Sequence, residues 1–233
     1  MEKRRDSATA YIILADGFET IEALTPLDVL RRCGVEVTTI SLNKTRAVRS
    51  SHGVTVEADA TMEEYMLKRS NAGSSSSADI SSASTNITNA GSSTGASDTN
   101  TTASTSTNVS STMRQALILP GGYPGYKNLC DSPEVGALIT QFHKEGKLLC
   151  AICGAPTALK ANQICRGAAI TCHTSVKEEL SDYYSILSSA VVKYMNIITG
   201  MGAGRSLDFA FAIAESLTSK EKVEEIKAKM EII

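Results

Sequence analysis

Leu148-Leu-Cys-Ala-Ile-Cys153-Gly-Ala-Pro156 decides how this chain is read. Lys147–Ile152 is a short apolar run, the pattern of a strand buried on both faces of a sheet. Gly154–Ala161 reads as a helix, which leaves Cys153 at the sharp turn between them. A strand that breaks straight into a helix in this way is a nucleophile elbow, here with Cys where hydrolases carry Ser. The small residues after Cys153 suit so tight a turn. A thiol there faces a helix N-terminus, whose dipole and free N–H groups favour thiolate. A buried, inert cysteine fits the spacing equally well, so both readings stand on spacing alone.

Working outward, the same alternation recurs. Ala10–Leu14 reads as a strand, Ile21–Cys33 as a helix stopped by Gly34, and Val35–Ser41 as a second strand. Strand, helix, strand in so few residues is a βαβ unit, which predicts a parallel sheet. Val48 and Val54–Ala58 flank His52-Gly53 as a hairpin, and Thr61–Lys68 is a short helix. Gln115–Leu119 is a strand. Pro133–Glu145 carries Val135, Leu138, Ile139 and Phe142 at helical spacing, with Pro133 near the first helical position. Ala169–Thr171, Ala190–Lys193 and Ile197–Thr199 are further strands, and Ser206–Leu217 and Lys220–Met230 are closing helices. The expected architecture is an open, doubly wound α/β sheet, whose ligands bind at the carboxyl ends of the strands.

The 233 residues are not uniform. Ser70–Thr112 is 43 residues long, and 24 of them are Ser or Thr. Such a tract cannot bury enough apolar surface to offset its ordering entropy, so disorder is expected there. Its Asn86, Asn100 and Asn108 triplets are what chance supplies in so Ser/Thr-rich a stretch. The tract holds two of the 25 acidic residues and none of the 23 basic ones, so the other 190 residues carry 23 of each sign. That neutrality argues against a nucleic-acid or membrane-surface binder. The expected organisation is one domain over 1–233, interrupted at 70–112. Met1–Ala10 has no secretory character, and the six cysteines are read as reduced thiols in a cytoplasmic setting. Cys150 and Cys153 have half a zinc spacing with no second pair, so no metal is expected. As a redox pair they are poorly placed, with Cys150 inside the strand. His143 is expected on the exposed side of its helix, and Cys33, Cys130, Cys165 and Cys172 in packing roles.

Two more loops follow strands. In Leu119-Pro-Gly-Gly122-Tyr-Pro-Gly125 the paired glycines allow close backbone approach and can aim N–H groups at an oxyanion, although an ordinary turn fits too. In Gly17-Phe-Glu-Thr-Ile-Glu22, Glu22 shares a helical stripe with Pro26, Val29 and Cys33. An inward stripe would desolvate its carboxyl and keep it protonated near neutrality, whereas a solvated first-turn Glu is the simpler alternative.

Taken together and in order, Gly17–Glu22, Leu27–Gly34, Leu119–Gly122 and Ala151–Leu159 resemble the ThiJ/PfpI superfamily, in its DJ-one branch. The resemblance implies a flavodoxin-like three-layer α/β/α sandwich with a mostly parallel sheet, and a homodimer. It implies Cys153 as reactive nucleophile, Glu22 as the protonated glutamate beside it, and Gly122 and Gly154 as backbone oxyanion donors. His173 matches the family's imidazole near the thiol, and Arg32 and His52 match positions that can line an anion-accepting pocket. Gly154 stands where PfpI-type proteins place His, which argues against a peptidase. Met201-Gly-Ala-Gly204 replaces the branch's usual Arg-Gly-Pro-Gly, and Thr174 follows His173 where Pro is common.

What this implies is a cofactor-free glyoxalase or deglycase. Its substrates would be small carbonyl compounds such as methylglyoxal, or their adducts on thiols and amines. The alternative is a non-catalytic peroxide sensor or stress chaperone using the same cysteine.

Overall fold

The computed structural model describes residues 8–74 and 114–232. Seven strands form the main sheet: β1 (Thr9–Leu14), β2 (Glu36–Ser41), β5 (Ala60–Thr61), β6 (Gln115–Leu119), β7 (Leu148–Ile152), β10 (Val191–Tyr194) and β11 (Ile197–Gly200). Their order is β10-β11-β7-β6-β1-β2-β5. Every pairing is parallel except β10 with β11, which antiparallel pairing places β10 on the edge. β3 (Ala47–Arg49) and β4 (Thr55–Glu57) form a separate antiparallel hairpin, and β8 (Ala169–Ile170) pairs with β9 (Ser185–Ile186).

Successive strand residues point to opposite faces, and the core divides accordingly. Ile12 and Leu14, Ala116 and Ile118, and Cys150 and Ile152 pack with α1 (Thr20–Arg32), α7 (Ser206–Leu217) and α8 (Lys220–Lys229). Ile13, Leu117, Leu119, Leu149 and Ala151 pack on the other face with α2 (Met62–Ser74), α3 (Gly125–Asp131), α4 (Pro133–Lys144), α5 (Pro156–Ala161) and α6 (Lys177–Ser181). The result is a flavodoxin-like sandwich of helices, sheet and helices. Its chain order reverses between β1 and β6, the point at which such sheets open a crevice at their carboxyl ends.

Local rules explain most elements. Ser132 caps α4, its hydroxyl accepting the Val135 N–H at 3.3 Å, and Pro133 opens the helix where a missing N–H does no harm. Ser219 caps α8 in the same way.

Several expectations change. The segment at Ala169–Thr171 does not join the main sheet, because β8 finds its partner in β9. His143 is half-buried rather than solvated. Its Nδ1 is enclosed and its Nε2 lies 3.8 Å from the Cys165 sulfur. The tract placed at 70–112 begins too early, since α2 runs on through Ser74. A helix already nucleated propagates cheaply, and the Ser70 hydroxyl bonds back to the Leu67 carbonyl at 2.8 Å instead of breaking it. The rest of that tract, with its three Asn triplets, lies outside the described residues. α3, α6, β5 and β9 are too short to leave a period in the sequence.

Phe142 is fully buried between α4 and the sheet. Phe142→Ala is expected to cost about 3–5 kcal/mol in urea unfolding, by lost burial and an unfilled cavity.

Candidate active site

Three loops meet at the carboxyl end of the sheet, one each from β1, β6 and β7. Cys153 occupies the elbow after β7 with φ of 64°, a left-handed conformation uncommon outside glycine. Two backbone bonds hold it there. Its N–H donates to the Gly200 carbonyl at 3.0 Å, and its carbonyl accepts the His173 N–H at 2.9 Å. The side chain is half-buried at the floor of a cavity of about 660 Å³.

Glu22 reaches the same point from the first turn of α1. It is fully buried, and its Oε2 accepts the Gly121 N–H at 2.8 Å. Its Oε1 is enclosed without a conventional partner. Such an orphan oxygen is comfortable only when it carries a proton it can offer to a neighbour. The neighbour is the Cys153 thiol. Burial is the main cause that lifts the Glu22 carboxyl from 4.5 to about 7, with the Gly121 and Cys153 contacts opposing it. Gly121 also shows why no side chain is tolerated there. A Cβ on it would lie 2.6 Å from the Cys153 Cβ and 2.7 Å from Glu22 Oε2. Its carbonyl accepts the Glu19 N–H at 2.9 Å, so loop and helix are bonded in both directions.

The thiol does not follow the expectation of a thiolate favoured by the helix dipole. Burial first, and then the Glu22 carboxylate, push Cys153 up to about 12. The N–H groups of Gly122 and Gly154 act on it in the opposite sense and favour thiolate, but they are outweighed. α5 is only six residues long, so its dipole is small. The two acids ionise as a coupled pair, because a charge on one disfavours a charge on the other.

The structure brings His173 and His52 to the cavity wall. His173 Nδ1 accepts the Ser175 N–H at 3.2 Å, which assigns its neutral-form proton to Nε2. His52 is delivered by the β3–β4 hairpin, which is fastened to the first loop by the Gly17 N–H to Arg49 and the Ser51 N–H to Phe18. Its Nδ1 lies 3.8 Å from Glu19 Oε1. Arg32 is not part of the cavity lining. It sits ten residues beyond Glu22 on the same helix, roughly 15 Å along the axis, exposed and held by Asp28 at 2.7 Å. Three lining residues had no sequence signal. Glu19 caps α1 by accepting the Glu22 N–H at 2.8 Å, although Glu is not a favoured capping type. Tyr123 belongs to an aperiodic loop, and Arg205 to a single 3-10 turn that leads into α7.

Fold and site together define a doubly wound α/β protein with a cysteine elbow and a buried carboxyl beside it. The family model that matches is the DJ-1/PfpI family, over residues 8–216, and the chain belongs to that family. Protein dj-1beta of Drosophila melanogaster is 31% identical over 221 residues, covering 94% of this chain and 95% of that one. The crystal structure of Drosophila melanogaster DJ-1beta superposes with a TM-score of 0.74 at 30% identity, covering 97% of this chain and 99% of its own. A Caenorhabditis elegans protein described as glutathione-independent glyoxalase DJR-1.2 is 38% identical over 107 residues, which is 46% of this chain and 56% of that protein.

The raised Glu22 carboxyl has a consequence for stability. Between 4.5 and about 7 the folded state holds a proton that the unfolded state has released, so stability falls as pH rises through that window. The loss reaches about 3 kcal/mol near neutrality. Glu22→Gln removes this proton linkage, and its urea-derived stability is expected to stay flatter with pH than wild type. Parallel curves for the two proteins would show that the carboxyl is not burdened by its burial.

Proposed function

We propose that this protein is a cofactor-independent thiol enzyme of the glyoxalase or deglycase kind. Its substrates are α-oxoaldehydes such as methylglyoxal and their thiol or amine adducts. The observation that carries this is the pairing of Cys153 on its elbow with the buried Glu22 carboxyl, under the N–H groups of Gly122 and Gly154. The resting carboxyl carries a proton, but because it titrates near 7 an ionised fraction is present at neutral pH, and that carboxylate form is the thiol's general base.

The chemistry follows from that placement. The Cys153 sulfur adds to the aldehyde carbon, and Glu22 takes the thiol proton as the S–C bond forms. The Gly122 and Gly154 N–H groups hold the oxyanion until that proton returns to it. Glu22 then removes the proton from the former aldehyde carbon, and the electron pair moves toward the adjacent carbonyl as an enediol. Return of the proton to the adjacent carbon leaves a lactoyl thioester. Water releases lactate and restores the thiol, so methylglyoxal and water give lactic acid. With a thiol hemithioacetal as substrate, the same proton shift makes an external thioester. Its acyl group passes to Cys153 and then to water, and the thiol leaves. His173, on the cavity wall, is positioned to orient the carbonyl or the water. The family resemblance adds a homodimer to this proposal, and the reading of the six cysteines as reduced thiols adds a cytoplasmic setting.

A second reading rests on the same N–H groups. They favour a negative sulfur and would equally hold a Cys153 sulfinate in a peroxide sensor.

Cys153→Ser and Glu22→Gln are each expected to reduce lactate formation from methylglyoxal by at least a hundredfold while leaving the thermal transition cooperative. Unchanged turnover in either variant would overturn the mechanism. Intact-mass spectrometry under graded peroxide tests the sensor. Oxygen added to Cys153 before the other five thiols supports it, and oxygen added elsewhere first removes it.

A further inference from the structure

The cavity is larger than a three-carbon substrate needs. Methylglyoxal is only a few waters in size, of order 100 Å³ at about 30 Å³ per water. The space above Cys153 is about 660 Å³, within the range that takes ligands of drug size. An adduct fills it better than the free aldehyde does.

The charges on the cavity wall indicate what the remainder of that adduct carries. Glu19 is already occupied, with Oε2 on the Glu22 N–H and Oε1 facing His52. Glu22 lies under the thiol. The other ionisable lining groups besides Cys153 and Tyr123 are His52, His173 and Arg205. Arg205 stands between this cavity and the neighbouring groove that holds Asp208, and it brings a permanent positive charge to their shared rim. It follows Met201-Gly-Ala-Gly204, the loop that leaves β11 directly after the Gly200 carbonyl that anchors Cys153. It stands at the start of α7, which no side chain caps, so the positive end of that helix adds to the guanidinium. Its one ion pair among the described residues is loose. Asp208 lies 3.6 Å away, three residues on, with both side chains more than half exposed. Pairs of that kind contribute little and exchange readily for a better partner. A carboxylate offers the guanidinium a two-pronged hydrogen bond that Asp208 at this distance does not make.

We propose that Arg205 is a specificity-determining residue that binds a carboxylate on the thiol or amine half of the adduct, so that the preferred substrates are α-oxoaldehyde adducts of carboxylate-bearing thiols or amines. This deepens the glyoxalase reading and rests on it for turnover, but the binding claim can be tested by itself. The reacting carbon sits over Cys153, the leaving half extends along the cavity, and its carboxylate meets Arg205 at the rim. His52 and His173 flank that path as hydrogen-bond donors.

The test has a binding arm and a kinetic arm. The binding arm uses the full-length Cys153→Ser protein, S-acetonyl-N-acetylcysteine as an unreactive adduct mimic, and its methyl ester. Calorimetry is expected to show the acid binding about tenfold tighter than the ester. Adding Arg205→Ala should erase that difference, and Arg205→Lys should keep part of it. Equal binding of acid and ester, no binding of the acid, or a preference that survives Arg205→Ala would each overturn the proposal. The kinetic arm uses methylglyoxal adducts of N-acetylcysteine and of its methyl ester with otherwise wild-type protein. Arg205→Ala should raise KM about tenfold for the acid adduct alone and leave kcat unchanged. An equal rise for both adducts argues for a merely structural role and overturns the assignment. Wild-type protein that turns over neither adduct, while the acid preference persists in the binding arm, sinks the glyoxalase reading and leaves the Arg205 site standing.

Discussion

Glu22 gives up its water to reach Cys153, and the site is arranged around that loss. A carboxyl with no exposed surface needs a donor, and the Gly121 N–H supplies one at 2.8 Å. That donor can come close only because Gly121 has no side chain. The carbonyl of the same residue returns to the Glu19 N–H, which fixes the first turn of α1 against the loop after β6. Gly122, with φ of 89°, then turns the chain at a point where a Cβ would lie 2.3 Å from the Glu19 nitrogen. The Gly121 N–H by itself holds the carboxyl down, but the water these contacts exclude raises it by more. The strained elbow at Cys153 belongs to the same arrangement. It persists because β11 and the His173 segment hold its backbone from both sides.

The coupled pair also says how the thiol can be reactive without being a thiolate at rest. A free low-pKa cysteine in an open cavity reacts with any electrophile or oxidant. In the proposed chemistry the proton stays on sulfur until a carbonyl is present to accept the sulfur's electrons, and the nearby carboxylate takes the proton only as that happens. Burial protects the resting thiol, and the proposed transition state would be served by Glu22 and two N–H groups. This favours a thiol selective for carbonyl carbon over one that responds to oxidants in general, and it is the physical reason to rank the enzyme above the sensor.

How much of this could be read beforehand depended on the length scale of each signal. The strand-to-helix break at Cys153 was legible because it sits inside nine residues of continuous pattern. Glu22 was legible only through the family resemblance, since its stripe with Pro26 and Val29, both buried, allowed an inward carboxyl but a solvated first-turn Glu was the simpler reading. The thiolate expectation failed because a sequence shows that a helix follows but not that it is only six residues long, nor how deeply the sulfur is covered. Arg32 fell to a similar gap. Motif order put it near the site, but ten residues of helix carry it to the far end of α1. Tyr123 lies in a loop and Arg205 in a single 3-10 turn, both too short to leave a period, so only the folded chain brings them to the cavity. The start of the Ser/Thr-rich tract was misplaced because composition averages over residues, whereas a helix ends where its last hydrogen bond fails.

The position of that tract shows why so long an addition is compatible with the site. The described chain leaves at Ser74, the end of α2, and re-enters at Arg114, just before Gln115 opens β6. Gln115 is at the amino end of β6, level with Thr9 at the amino end of β1. Cys153, Glu22 and Gly121 are all at the carboxyl ends, roughly 16 Å further along a five-residue strand. Residues added at the amino end enter a connection that no site residue depends on, and closure entropy rises only logarithmically with their number. The same addition at the carboxyl end of β6 would split Leu119 from Gly121 and remove the donor that holds Glu22. The constraint that makes the site also decides where the chain can grow.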